Sequence, residues 1–207
     1  METNSIGTHS KSKRVLVISF LIGIAVVVIL ATLFYTPLRN YFNKTTGFPT
    51  NSPSTSLGSW ITYTSDKNDF TAVLPSEPQR DSLSDKDADT DITINSEVYT
   101  AGVKGDAYII NVFRYLGTVD FSNPKINLQN LLTTWVAQDK NNILESLAFS
   151  KIDNRDALDF HIVNGTENVK GRIIVKDQAI YEIFADYQDQ QPTATSYKKF
   201  IDGFSFE

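Results

Sequence analysis

Residues 15–35 read VLVISFLIGIAVVVILATLFY, an uninterrupted apolar run that leaves this part of the chain one stable solvent, the interior of a lipid bilayer. At about 1.5 Å per residue, a helix of this length crosses a hydrocarbon core about 30 Å thick. Gly23 and the branched run Val26, Val27 and Val28 weaken a helix in water, but lipid offers the backbone no other hydrogen-bond partner and enforces one. A core helix of a soluble domain would carry a polar face, and this segment has none. A cleaved signal peptide is shorter, at about 7–15 apolar residues, and ends in small residues of the A-x-A type. This run leaves through Tyr35-Thr36-Pro37-Leu38-Arg39 instead, so the segment is expected to remain as an uncleaved anchor.

Three cations, Lys11, Lys13 and Arg14, precede the run and Arg39 alone closely follows it, which puts residues 1–14 in the cytoplasm by the positive-inside rule. The rest of the chain is then extracytoplasmic. The sequence contains no cysteine, which excludes disulfides, thiolate metal sites, thiol nucleophiles and lipidation at a cysteine. The net charge is −5, and setting aside Glu2 and the three cations before Val15 makes the remainder −7. An acidic body of this kind has no electrostatic footprint for nucleic acid.

Residues 36–59 are dominated by Asn, Thr, Ser, Gly and Pro and are expected to form a flexible linker. From Trp60 to Glu207 the pattern is that of one folded domain. Phe70, Ala72 and Leu74 share a strand face before Pro75; Ile92, Ile94, Val98 and Tyr99 mark a second strand region, and Ala107 to Tyr115 a third. Lys104-Gly105-Asp106 fits a hairpin turn between the last two. Further strands are expected at Ala157 to Val163, Arg172 to Val175 and Ala179 to Ala185, separated by Asn164-Gly165 and Lys176-Asp177-Gln178, which together give an antiparallel meander.

Two segments follow helical spacing. Leu128, Leu131, Leu132, Trp135 and Val136 predict an amphipathic helix over 127–140, with Asn127 as its N-cap. The Trp135 face has the spacing of core packing rather than of a cofactor platform. Ala194, Tyr197, Phe200 and Ile201 predict a second helix over 193–202, stopped by Gly203. Helices with one apolar face, inserted into an antiparallel sheet, give an α+β domain in which helices cover the sheet.

Three stretches carry a resemblance: W60-I-T-Y63-T-S65, F70-T-A-V-L74-P75-S-E-P78, and Y197-K-K-F200-I-D-G203-F204-S-F206. Together they resemble the PsbP-like domains, over about residues 60–207, with Gly203 standing where that pattern has Ser. The resemblance implies an α-β-α sandwich and a binding or docking module without a common catalytic apparatus.

Two groups of side chains are candidate sites. His161 is the only histidine beyond the N-terminal tail, and it lies two residues from Asp159, so both share a strand face while Leu158, Phe160 and Ile162 take the other. A hydrolytic reading makes His161 a base oriented by the carboxylate, with Ser150 as nucleophile. No G-x-S-x-G supports that serine, and a surface histidine is the plainer account. Asp85, Asp87, Asp89 and Asp91 alternate carboxylates as a calcium loop does, but Thr90 and Ser96 stand where an EF-hand needs Gly and Glu. That stretch fits a solvated acidic loop. The triplets Asn43-Lys44-Thr45 and Asn164-Gly165-Thr166 match the glycosylation pattern.

No phosphate-binding loop, dinucleotide fingerprint or zinc-protease motif occurs, and no cofactor is expected. Three readings remain open: a non-enzymatic anchored module that binds an envelope protein or a small ligand, an extracytoplasmic hydrolase with a dispersed site near His161, and a cell-surface spacer. The anchor makes an immediate prediction. Alkaline carbonate should leave the full chain in the membrane pellet, and protease added to intact cells should digest residues 60–207; release by carbonate would exclude the anchor.

Overall fold

The computed structural model describes residues 60–86, 91–103, 106–188 and 194–207. The tail, membrane segment and linker expected over residues 1–59 lie outside these, as do Asp87, Asp89, Lys104 and Gly105. Among the described residues no helix is long and apolar enough to cross a membrane.

Strands β1 (Ile61–Thr64), β2 (Phe70–Leu74), β3 (Gln79–Lys86), β4 (Thr93–Val103) and β5 (Asp106–Leu116) precede helix α1 (Pro124–Ala137). Then come β6 (Ile143–Ile152), β7 (Arg155–Asn164), β8 (Glu167–Lys176), β9 (Ala179–Gln188), helix α2 (Ala194–Asp202) and β10 (Ser205–Phe206). Seven strands form one antiparallel sheet in the order β3-β4-β5-β9-β8-β7-β6, and β1-β2-β10 form a second, smaller one. The fold is therefore mainly antiparallel sheet with two helices.

Short turns fix the register. Val103 pairs with Asp106, Ile152 with Arg155, Asn164 with Glu167 and Lys176 with Ala179, leaving two residues in each connection. Asp153, Asn154, Gly165 and Asp177 have positive φ, which Asn, Asp and Gly tolerate and which matches the twist of paired strands. Between the two hairpin series the chain travels through α1 to the far edge, so β5 meets β9 rather than β6.

Alternation along β5 and β9 sends side chains into two cores. Tyr108, Ile110 and Val112 with Tyr181, Ile183, Ala185 and Tyr187 pack against β2 and α2, where Phe70, Phe200 and Phe204 are buried. Ile109, Phe113 and Tyr115 with Ile180 and Phe184 pack against Leu128, Leu131 and Leu132 of α1. The helices thus cover opposite faces, and α2 shares its face with the small sheet. Trp135 sits edge-on against Phe160 and Phe184, at 5.4 and 5.1 Å between ring centroids, as core packing requires.

The start of α1 departs from the expected one. The N-cap is Asn123, Pro124 opens the first turn, and Asn127 lies one turn inside the helix. Proline suits the first helical position because its φ is already helical and its missing N–H would be unpaired there. Asn127 is buried, and its amide donates to the Asp120 carbonyl at 3.1 Å. The last turn also ends earlier than expected, at Ala137. Three strands, β1, β3 and β6, go beyond the periodicity read from the sequence, and all three are sheet edges.

An ionic clamp joins the two sheets. Arg114 of β5 donates to Glu97 of β4 and to Asp69, just before β2. Arg80 adds a bond to Glu97 at 2.6 Å, while Tyr181 and Ser65 donate to Asp69 at 3.0 and 2.6 Å. Burial alone would raise both carboxyls. The bonds from Ser65, Arg114 and Tyr181 to Asp69, and from Arg80, Arg114 and Lys67 to Glu97, outweigh it and hold both below their ordinary values.

On the opposite face Glu182 is 0% exposed beneath α1. Asn111 donates to its Oε2 at 3.0 Å, and its Oε1 has no hydrogen bond. The Trp135 indole favours the charged form too, although its Nε1–H does not bond to Oε1. Burial dominates and pushes this carboxyl up to about 7.

Two predictions follow from packing and charge. A Cβ on Gly203 would stand 2.5 Å from Val73 Cβ and 2.6 Å from the Lys199 carbonyl, so Gly203→Ala should cost about 1–3 kcal/mol, read by chemical denaturation. An unchanged midpoint would mean that the β2–α2 contact gives way freely. For Glu182 the folded state holds its proton more tightly than the unfolded chain, whose carboxyl titrates near 4.5. The native protein should therefore lose stability as pH rises from about 4.5 to 7, by up to about 3 kcal/mol, and Glu182→Gln should flatten that slope. A slope that survives the substitution would place the proton elsewhere.

Candidate functional site

Where α2 crosses the large sheet it leaves β6, β7 and β8 only partly covered, and a shallow groove of ≈ 280 Å³ opens between them. Strand alternation supplies its floor: Ser146 and Ala148 from β6, Asp159 from β7, and Lys170 and Arg172 from β8. Tyr197, Lys198 and Asp202 of α2 form the wall. The register sets Asp159 opposite both Ala148 and Arg172, and His161 opposite both Ser146 and Lys170.

The charges are partly matched. Arg172 Nε donates to Asp159 Oδ1 at 2.6 Å, and Lys198 pairs with Asp202 one helical turn on. Lys170 Nζ sits 4.9 Å from the centre of the Tyr197 ring, a cation resting on an aromatic face. Three cations against two carboxylates leave the groove one positive charge in excess, on a protein whose net charge is −5. Burial raises the Tyr197 hydroxyl pKa, so the ring stays neutral at every pH of interest.

The expected face of β7 is observed. Asp159 and His161 lie on the groove side, while Leu158, Phe160 and Ile162 enter the α1 core. The Ser150–His161–Asp159 arrangement is not assembled, however. Asp159 is taken by Arg172, and His161 Nε2 meets Asn168 Oδ1 at 3.0 Å and Tyr187 Oη at 3.3 Å. Ser150 is paired with Ala157, four residues from the strand partner of His161, a separation of about 13 Å along β6. Its Oγ is buried, with no hydrogen-bond partner among the described residues. Ser146 is the serine across from His161, and Tyr187 stacks on the imidazole at 6.5 Å.

The acidic stretch shows no gathered oxygens at its described ends. Asp85 accepts from the Lys86 backbone N–H at 2.9 Å, and Asp91 pairs with Lys86 Nζ at 2.6 Å. Among the described residues no three His, Asp or Glu side chains stand close enough to share a metal ion. In the second glycosylation triplet, the Asn164 side-chain nitrogen already donates to Asn142 Oδ1 at 3.0 Å and Asp139 Oδ2 at 3.2 Å.

Lys170, Arg172, Tyr197 and Lys198 were not singled out from the sequence. The signal lay in Asn168, Lys170 and Arg172 at alternate positions of one strand, beside a neighbour that places Asp159 and His161 on the same face.

No family model matches the sequence, and no curated protein matches it. Among solved structures, the chain is similar to the solution structure of cyanobacterial PsbP (CyanoP) from Synechocystis sp. PCC 6803, at 11% identity and a TM-score of 0.44, over 77% of this chain and 99% of that one.

Proposed function

We propose that the chain is a non-catalytic binding module of PsbP-like type, held at the outer surface of a cell membrane by residues 15–35. Its groove receives one carboxylate next to a flat apolar group, presented by a small molecule or by the end of an envelope protein chain. The observation that carries this reading is the Lys170–Tyr197–Arg172 surface: an excess cation and an aromatic face side by side on an otherwise acidic protein. A guanidinium and an ammonium bind carboxylates by charge-assisted hydrogen bonds. The ring adds a stacking surface. The opening is small against the roughly 300–1,000 Å³ of drug-sized ligand sites, which favours a compact ligand or a single residue.

The hydrolase reading loses its support where Asp159 binds Arg172 and Ser150 lies far along the strand from His161. The spacer reading needs no groove. Both are separable from the proposal by one titration. Full-length, isotope-labelled chain in detergent micelles is titrated with acetylated amino acids bearing aromatic or aliphatic side chains, and with the corresponding amides. Aromatic carboxylates should shift the amides of Lys170, Arg172 and Tyr197, while the amides of the ligands should not. Lys170→Ala should weaken binding at least about tenfold, since a hydrogen bond to a charged group contributes about 1.5–3 kcal/mol. Silence at all three positions returns the spacer reading, and turnover of any added ester or amide returns the hydrolase.

A further inference from the structure

The two edges of the large sheet are built differently. β3, QRDSLSDK, is polar along nearly its whole length, as an edge strand guarded against pairing is. β6, ILESLAFSKI, ends the sheet on the other side, and its outer edge pairs with no described strand. Its apolar side chains are left in solvent: Leu144, Leu147 and Phe149 are 40%, 39% and 41% exposed. Ile126 of α1, at 57%, lies on the same side of the sheet, and Lys125 of α1 reaches the Phe149 ring at 5.5 Å. A ten-residue edge with this composition is a template for another strand.

The sequence of β6 specifies which strand. We infer that β6 pairs antiparallel with β6 of a second copy of this chain, about a two-fold axis through Ala148. In that register Leu147 lies opposite Phe149 of the second copy, Ser146 opposite Ser150, and Glu145 opposite Lys151, each pair occurring twice. Apolar meets apolar, hydroxyl meets hydroxyl, and the two acids meet the two bases. Moving the axis by one residue sets Glu145 against Phe149 or Asp153 and dissolves the charge match. The bulge in β6 falls between Leu144 and Ser146, so the two copies pair regularly from Ser146 to Ser150, and Glu145, at the bulge, meets Lys151 just beyond that stretch.

Directly opposed residues share a sheet face, so both α1 helices fall on one side and both grooves on the other. Three strand spacings separate β7 from its symmetry mate, about 14 Å, which accommodates two helices about 10–12 Å wide above them. Phe149 and Ile126 then lose solvent exposure together. The contact is isologous and closes on itself, so it stops at a dimer. Each groove has β6 as the outermost strand of its floor, so pairing sets the two grooves side by side across the axis.

The absence of cysteine makes the test direct. In the full chain, Ala148→Cys brings two thiols together at the axis, whereas Ser84→Cys puts them on the guarded β3 edge. Under mild oxidation in micelles, Ala148→Cys should form a disulfide dimer at least about tenfold faster, since opposed Cβ atoms lie about 4.5–5.5 Å apart and a disulfide needs about 3.5–4.5 Å. Charge exchange supplies the second arm, read by sedimentation. Glu145→Lys or Lys151→Glu alone should weaken dimerisation about tenfold, since each sets like charges opposite one another twice, and the double exchange should recover it to within about twofold. Equal cross-linking at the two positions, a monomer at all concentrations, or single exchanges without effect would each overturn the inference.

Discussion

Everything in this domain is organised by the contact between β5 and β9, the two strands buried on both faces. Their pairing from Ala107–Asp186 to Arg114–Ala179 is the seam where two hairpin series meet, and each side of it is the floor of a separate core. A strand covered on both sides has no face on which to put a polar residue at no cost. The few that occur here are accordingly tied. Arg114 is answered by Glu97 and Asp69 on one face, and Asn111 is bonded to Glu182 on the other. The first set also fastens the small sheet to the large one, because Asp69 sits at the entrance to β2. Removing Arg114 would leave Asp69 without a cation under the small sheet, the costly way to break a buried pair.

The two polar sets differ in a way that matters for condition dependence. Asp69 and Glu97 each gather several donors and stay ionised. Glu182 has one bonded oxygen and one bare one, and burial keeps its proton on into the neutral range. The face beneath α1 is thus the one that loses stability as the pH rises toward neutrality. The clamp face responds instead to strong acid, because protonating Asp69 or Glu97 removes the charge that Arg114 requires.

How much was legible in the sequence followed the physics of burial. Strands with one or two buried faces, such as β2, β5, β7 and β9, carry apolar periodicity and were readable, and so was the Asp159–His161 face. β3 and β6 are edges, and an edge strand need not alternate. β3 offers Leu83 alone, and the bulge after Leu144 shifts the period of β6 near its start. That omission carried into the site: without β6 in register, Ser150 looked available to His161, whereas pairing sets Ser146 there. The groove was hidden for a related reason, since Lys170 and Arg172 come together with Tyr197 and Lys198 only once α2 is laid across the sheet. Gly203 was legible as a stop, yet its φ is not positive. What the position forbids is a side chain against Val73, where the resembling pattern carries Ser.

The last strand has a consequence for how the domain is made. β10 is only Ser205–Phe206, but it completes the sheet that β1 and β2 begin, with Ser205 opposite Thr71 and Phe206 opposite Phe70. Phe204 beside it stacks on Phe70 within the first core. The earliest part of the domain to emerge therefore waits for the final residues before its own layer can close. A topology whose first sheet lacks its closing strand until β10 has been made ties the folding of that first layer to the whole domain by chain order alone.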